Sequence, residues 1–448
     1  MLKKFFLLLS AFLIVHLGYH LRLQQFSAFP AVGDTQDEVK YAFNGLNLIK
    51  KGTPESWSWW DNYGNFPVVN IRDNPYRLVK PYFDDPPIFA LIMGGYSLYQ
   101  GMDTLEKVDV GVLRWPMLKL GALNILLLFT LVYLTVNFKT AILSSLFYAT
   151  IPTIVLSSRL PLAENFLVTL SLSSLLFAHF YLKKKKVIYL ILANLVCFIA
   201  PLTKQTGLYV PFALIFLFFA HKRYYACLTT FLTMLLSVLA WFGYGLYYDW
   251  DLFIHLQSIF SGREIRQPTT IINLFDTFRI GEKPMATSGL LLWGWISIIS
   301  LGRTKYKEKF SKLIPLVSLA SYLVLFSIMS GHNKGWYRIP FYPFLAWAMG
   351  VNLVQIISNP DFLSSFFFIA LAFFQSFVFG SGERFFNQVE VKIYQVLLSL
   401  GAACPLIYEL TDQKRFKQIT RLLIIIAFIL LIRFNSLTIT QFQDQFWY

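Results

Sequence analysis

Charge is scarce in this chain, at 14% of residues, and several of its carboxylates stand where chemistry could use them. Asp37 and Glu38 follow Thr35-Gln36 and open a stretch in which Val39, Ala42, Phe43, Leu46 and Ile49 recur at helical spacing until Gly52 stops it. Asp84 and Asp85 lie in Lys80-Pro81-Tyr82-Phe83-Asp84-Asp85-Pro86-Pro87, just before a short apolar segment. Glu164 follows Ser158-Arg159-Leu160-Pro161 at one end of a long apolar run. Carboxylates can accept a proton or hold a hard cation. At the edge of a hydrocarbon layer they are costly, which makes them functional candidates. Plainer accounts exist for the first pair. Glu38 can close a capping box onto Thr35, and Asp37 can be a charge favoured by a helix N-terminus.

The elements that must position these groups are membrane helices. Hydrophobic residues make up 56% of the 448, and mean hydropathy is +0.55. Soluble domains carry roughly a quarter charged residues, so this composition excludes that class. Apolar runs recur at 5–21, 111–136, 141–157, 164–182, 187–202, 207–221, 224–246, 286–301, 312–330, 337–357, 362–380, 392–410 and 419–435. A bilayer core needs roughly 20 apolar residues per helix, so an all-α polytopic protein of about thirteen spans is expected. The short alternating segments of a β-barrel are absent from the sequence.

The net charge of +15 does not point to nucleic acid, because the basic residues gather in short turns between apolar runs. These turns lie at Lys139, 183–186, His221-Lys222-Arg223, 303–309 and 414–417. Placed in the cytoplasm, they put the N-terminus inside and the C-terminal tail outside. The first run follows Met1-Leu2-Lys3-Lys4 with no small-residue cleavage site, so it reads as an uncleaved helix. Segment 88–99 is apolar but would make only about 18 Å of helix, so it reads as juxtamembrane or re-entrant. The outside then receives two polar loops, 22–87 and 247–287, and turns near Arg159, Lys204, 332–338 and Glu383-Arg384. Cys197, Cys227 and Cys404 lie within or beside apolar runs and suggest neither a metal site nor a disulfide framework.

The order of these segments resembles the GT-C glycosyltransferases, in the family 39-type branch of protein O-mannosyltransferases and lipid A aminoarabinose transferases. The likeness is carried by Asp37-Glu38 with Tyr41 after the first helix, and by Phe83-Asp84-Asp85-Pro86-Pro87 before a short apolar helix. Ser158-Arg159 with Glu164, the Thr203-Lys204 turn and Tyr337-Arg338-Ile339-Pro340 follow in the family's order. The likeness covers residues 1–350, a GT-C-like catalytic module, with 351–448 as additional transmembrane helices. The family's Lys before Pro-Pro is replaced by Asp85; Lys80, Arg77 and Arg72 are cations left in that loop. Asp34 competes with Asp37 for the leading acid. Trp59-Trp60-Asp61-Asn62-Tyr63-Gly64 resembles the signature of oligosaccharyltransferase catalytic subunits, with an inserted Asn and in the wrong part of the chain. It reads more simply as an interfacial aromatic belt.

The resemblance implies transfer of a hexosyl or pentosyl group from a polyprenyl-phosphate carrier to an acceptor hydroxyl on the outer face of the cell membrane. The acceptor needs a base within hydrogen-bond reach, a role implied for Asp37, with Glu38 or Asp34 as substitutes. The leaving phosphate gains charge and needs cations preset around it. The resemblance assigns Tyr41, Lys80, Arg159, Lys204, His332 and Arg338 to substrate binding; His332 and its alternative Lys334 read equally as anchors to lipid headgroups. Asp84 and Glu164 suit a divalent cation such as Mg2+ or Mn2+, with metal dependence left open. Arg263 and Arg266 in the second loop read first as solvated and second as phosphate contacts. The partners expected are a lipid-linked sugar donor, a glycan, lipid or protein acceptor, and the bilayer. A flippase of lipid-linked sugars is the alternative, disfavoured by the lack of a visible repeat and by acids gathered at one face. A noncatalytic member of the fold is the third reading.

Overall fold

The computed structural model describes residues 2–30, 37–58, 60–64, 66–71, 74–261, 289–303, 309–329, 335–372 and 388–441. Within them the chain is a helical bundle with one elaborated loop. The helices are α1 (Leu2–Leu23), α2 (Asp37–Lys51), α3 (Pro87–Tyr99), α4 (Val110–Thr135), α5 (Phe138–Thr150), α6 (Pro152–Ser157), α7 (Ala163–Lys184) and α8 (Val187–Thr203). They continue as α9 (Tyr209–Ala220), α10 (Tyr224–Tyr248), α11 (Trp250–Ser261), α12 (Gly289–Arg303) and α13 (Lys309–Met329). The last are α14 (Tyr342–Ser358), α15 (Phe362–Ala372), α16 (Gln388–Thr411) and α17 (Lys414–Gln441). Seven helices among the described residues are long and apolar enough to cross a membrane, and six shorter apolar ones accompany them.

Proline explains where the helices depart from the apolar runs. The run 141–157 is broken at Ile151, and Pro152 restarts it as α6, because a proline suits a helix's first turn and removes a hydrogen bond from its interior. The run at 337–357 begins as a 3-10 turn, Gly335–Phe341, before α14 starts with Pro343 in its first turn. The run at 207–221 opens with a 3-10 turn, Gln205–Leu208, ahead of α9.

The loop after α1 carries most of the site. Its helix α2 spans the stretch expected from periodicity and ends at Gly52, which takes a positive φ of 65°. Segment 88–99 forms α3, opened by Pro87. These two helices touch backbone to backbone: a Cβ on Gly45 would strike the carbonyl of Ala90, and one on Gly94 would strike Gly45. Between them lie three short antiparallel strands, β1 (Ser56–Trp57), β2 (Val68–Ile71) and β3 (Asn74–Val79), in the order β1-β3-β2. Trp57 pairs with Leu78 and Val69 with Tyr76.

Three buried arginines fasten this loop to the bundle. Arg22, at the end of α1, donates to Ser158 Oγ at 2.8 Å and to the carbonyl of Gly18 at 2.9 Å. Arg159 donates to the carbonyls of Leu21 at 2.8 Å and Phe29 at 3.2 Å. Arg114, on α4, donates to the carbonyl of Phe26 at 2.8 Å. Cations bonded to the last carbonyls of a helix satisfy groups that the helix itself leaves open.

Candidate active site

The first turn of α2 presents Asp37, Lys40 and Tyr41. Spacing of three puts Asp37 and Lys40 on one helix face, and their charged atoms meet at 2.9 Å. The Lys40 ammonium also lies 3.4 Å from Asp85 Oδ2. It stands 5.6 Å from the Tyr41 ring centroid and 5.7 Å from that of Tyr82. Tyr82 donates its hydroxyl to Asp85 at 2.9 Å. Lys40 is thus held between two carboxylates and two aromatic rings.

A second pair closes the other side. Lys204, in the turn between α8 and α9, donates to Glu164 Oε1 at 2.6 Å, and its ammonium stands 4.9 Å from the Tyr337 ring centroid. The 3-10 turn that carries Tyr337 is tied down by the Tyr322 hydroxyl, which donates to the Tyr337 carbonyl at 2.8 Å. Two buried polar atoms in this cluster have no partner among the described residues: Glu164 Oε2 and the Tyr41 hydroxyl. Buried polar atoms are rarely left so, which makes the pair a place for a polar ligand.

Electrostatics joins the two halves. Burial alone would lift the Asp85 carboxyl, but Lys40, Lys204 and the Tyr82 hydrogen bond outweigh it and hold it below the usual carboxylate range. Burial works against the Lys40 ammonium, yet Asp37, Asp85 and Asp84 hold it well above the usual lysine range. Burial pushes the Tyr41 and Tyr82 hydroxyls up, so both remain proton donors. Asp85, Lys204, Glu164 and Asp37 all act on the Tyr41 hydroxyl.

Asp84 faces elsewhere. Its two oxygens accept from Ser58 and from Tyr63, each at 2.8 Å, and Tyr63 in turn accepts the backbone N–H of Phe83 at 2.7 Å. Burial pushes its carboxyl up to about 6, with Lys40 pulling down and Asp85 pushing up. Tyr63, in the stretch that reads as an interfacial belt in the sequence, therefore turns inward, while Asp61, Asn62 and Gly64 stay exposed. Tyr63 is buried because the 3-10 turn Asp61–Tyr63 aims it at Asp84.

Of the candidates read from sequence, Asp37, Tyr41, Glu164 and Lys204 gather at one place. Glu38 turns away from them, into a two-pronged pair with Arg114 at 2.8 Å on both sides. Arg159 lies at the end of α1, bonded to carbonyls. Lys80 is exposed at the end of β3, and Arg338 is buried in the turn Gly335–Phe341. Arg77 pairs with Asp61 at 2.6 Å. Asp34, Thr35, Arg72, Arg263, Arg266, His332, Lys334 and Glu383-Arg384 lie outside the described residues. Asp84 and Glu164 take separate partners, so these two do not present a ready-made cation site. Among the described residues no group of three or more His, Cys, Asp or Glu side chains could hold a metal. Sequence reasoning passed over Lys40 and Tyr82. The i,i+3 spacing from Asp37 was the available signal for Lys40.

Residues 84–245 match the family described as dolichyl-phosphate-mannose-protein mannosyltransferase. No protein with a curated description matches the chain. Among solved structures, ArnT from Cupriavidus metallidurans bound to undecaprenyl phosphate is similar, with a TM-score of 0.55 and 12% identity over 98% of this chain and 76% of that one. The same protein in the apo state gives 0.52, at 14% identity over 98% and 78%. The Archaeoglobus fulgidus oligosaccharyltransferase tethered with an acceptor peptide gives 0.51, at 16% identity over 97% and 55%. The chain has the GT-C fold that its motifs led us to expect, and it is a multi-pass membrane protein.

Proposed function

We propose that the protein is a membrane glycosyltransferase that moves a sugar from a polyprenyl-phosphate-linked donor to an acceptor hydroxyl on the outer face of the cell membrane. The observation that carries this reading is the paired arrangement of Lys40 and Lys204, each set against a carboxylate, around the unpartnered Tyr41 hydroxyl and Glu164 Oε2. The matched family and the similar structures add lipid-phosphate chemistry to it: one neighbour was solved with undecaprenyl phosphate.

In this reading Lys40 and Lys204 replace the cation that the family carries before Pro-Pro. They draw the donor phosphate to the membrane edge. Asp37 takes the proton of the acceptor hydroxyl, whose oxygen attacks the anomeric carbon. The bond from that carbon to the phosphate oxygen breaks, and the polyprenyl phosphate leaves with one more negative charge, which the two ammonium groups stabilise. The Tyr41 hydroxyl donates a hydrogen bond to the same phosphate. Asp37 suits the base because its side chain is 18% exposed, against 11% for Asp85, 1% for Glu38 and 0% for Glu164. The bundle stands with its N-terminus in the cytoplasm and the α2–α3 loop outside, as the basic turns require.

The test is sugar release from a panel of synthetic polyprenyl-phosphate sugars by the purified protein, with and without Mg2+ or Mn2+. Consumption of one donor, abolished in Asp37→Asn, is expected. Binding of donor without turnover across the panel would favour a flippase or a noncatalytic protein instead.

A further inference from the structure

Beside the ionic cluster lies a second polar set that the proposed chemistry does not use. Gln205 and Thr206 follow Lys204 directly, in the turn Gln205–Leu208. Gln205 Nε2 donates to Gln257 Oε1, on α11, at 2.9 Å. Gln257 Nε2 and Thr206 Oγ1 in this link, and Trp241 Nε1 on the neighbouring α10, are buried without a partner among the described residues. Thr206 and Trp241 are each 6% exposed, so bulk water does not serve them. A single orphan can be a local imperfection, but three on neighbouring elements mark a place for a ligand rich in hydroxyls.

The packing beside this set is aromatic. The Trp241 ring stacks on Tyr244 at 5.4 Å and meets Phe253 edge-on at 5.1 Å. Phe253 stands one turn before Gln257 on α11, so both face the same side. Phe253 in turn meets Phe83 at 5.3 Å, and Phe83 directly precedes Asp84 and Asp85. Phe83 and Phe253 are fully buried in this packing, which fixes the elements that carry the amide and hydroxyl groups.

We infer that Gln205, Thr206, Gln257 and Trp241 form the subsite for the sugar ring of the donor and decide which sugar is accepted. The inference rests on the glycosyltransferase reading. A sugar joined directly to phosphate must lie within one residue's reach of the cation that holds that phosphate, and Gln205 is the residue after Lys204. The polar groups here are all neutral, so the ring they fit is a neutral, hydroxylated hexose or pentose. An acidic or cationic sugar would need a counter-charge that these four side chains do not supply.

The full-length protein, purified in detergent, is titrated with polyprenyl phosphate, with polyprenyl-phosphate-linked neutral hexoses and with the same hexoses free. One linked hexose is expected to bind roughly 10-fold or more tighter than the other linked hexoses, which carry the same phosphate charge, the gain of one or two good hydrogen bonds. Gln257→Leu and, separately, Gln205→Leu remove that increment, while bare polyprenyl phosphate binds each variant within about twofold of the parent. An increment that survives in both folded variants overturns the subsite, as does the lack of any increment in the parent protein. Free hexose binding that is lost in the same variants would place the acceptor's sugar here and overturn the donor assignment. Failure of bare polyprenyl phosphate to bind at all would instead sink the glycosyltransferase reading beneath it.

Discussion

Asp37 and Glu38 are adjacent in α2 yet enter two different kinds of charged environment. Glu38 points into the bundle, where Arg114 grips both its oxygens and the pair is closed to solvent. Asp37 points toward Lys40, which it shares with Asp85, beside a second pair whose Glu164 keeps an oxygen without a partner among the described residues. The first region has its charges matched and ties α2 to α4. The second leaves hydrogen-bonding capacity over. Buried charge alone does not distinguish structure from function; in this account the second region is set apart by a partly exposed carboxylate beside unfilled capacity.

The largest effect is expected from Lys204→Met, which removes a phosphate cation and strands Glu164 in a buried site. Transfer is lost, and stability falls by about 3–5 kcal/mol, read as a drop in melting temperature in detergent. Adding Glu164→Leu should restore much of the stability but none of the transfer. Recovery of both would mean that this pair is as structural as Glu38–Arg114, and the comparison would break. Next in size is Arg114→Met, which should also cost about 3–5 kcal/mol while leaving turnover per folded molecule intact. A specific loss of turnover there would erase the distinction from the other side.

Lys40→Met sharpens the comparison at lower cost. Affinity for polyprenyl phosphate should weaken by roughly 10-fold, about 1.4 kcal/mol, measurable by titration. The smallest effect concerns Asp84, whose carboxyl is pushed up to about 6. The folded protein then holds a proton that the unfolded chain has released, so this group's contribution to stability falls as pH rises from about 4 to about 6. Asp84→Asn should flatten the melting temperature across that window. An unchanged slope would assign it to other groups.

The helices were legible because their cause is local. Apolar runs mark α1, α4, α7 and α10, and periodicity marks α2 as far as Gly52. Pro86-Pro87 announced α3. The break at Pro152 was hidden inside a continuous apolar run, where hydropathy says nothing about backbone continuity. The site was half legible. Motif order brought forward Asp37, Tyr41, Glu164 and Lys204, but the partner of Glu38 stands 76 residues away on α4, and nothing in the spacing names it. Asp85 stood in sequence as one of the loop's carboxylates, in the place of the family's lysine. Its meaning came from Lys40, three residues after Asp37, reaching across to it.

The central claim is that Asp37 acts on substrate while Glu38 holds the fold. One paired measurement tests it: turnover of a single polyprenyl-phosphate sugar by Asp37→Asn and by Glu38→Gln, each normalised to the folded fraction found by melting. The account predicts a loss of roughly 100- to 10,000-fold with a near-parental melting temperature for Asp37→Asn. For Glu38→Gln it predicts a lowered melting temperature with turnover per folded molecule retained. Full turnover in Asp37→Asn, or a specific loss of turnover in a stably folded Glu38→Gln, would contradict it.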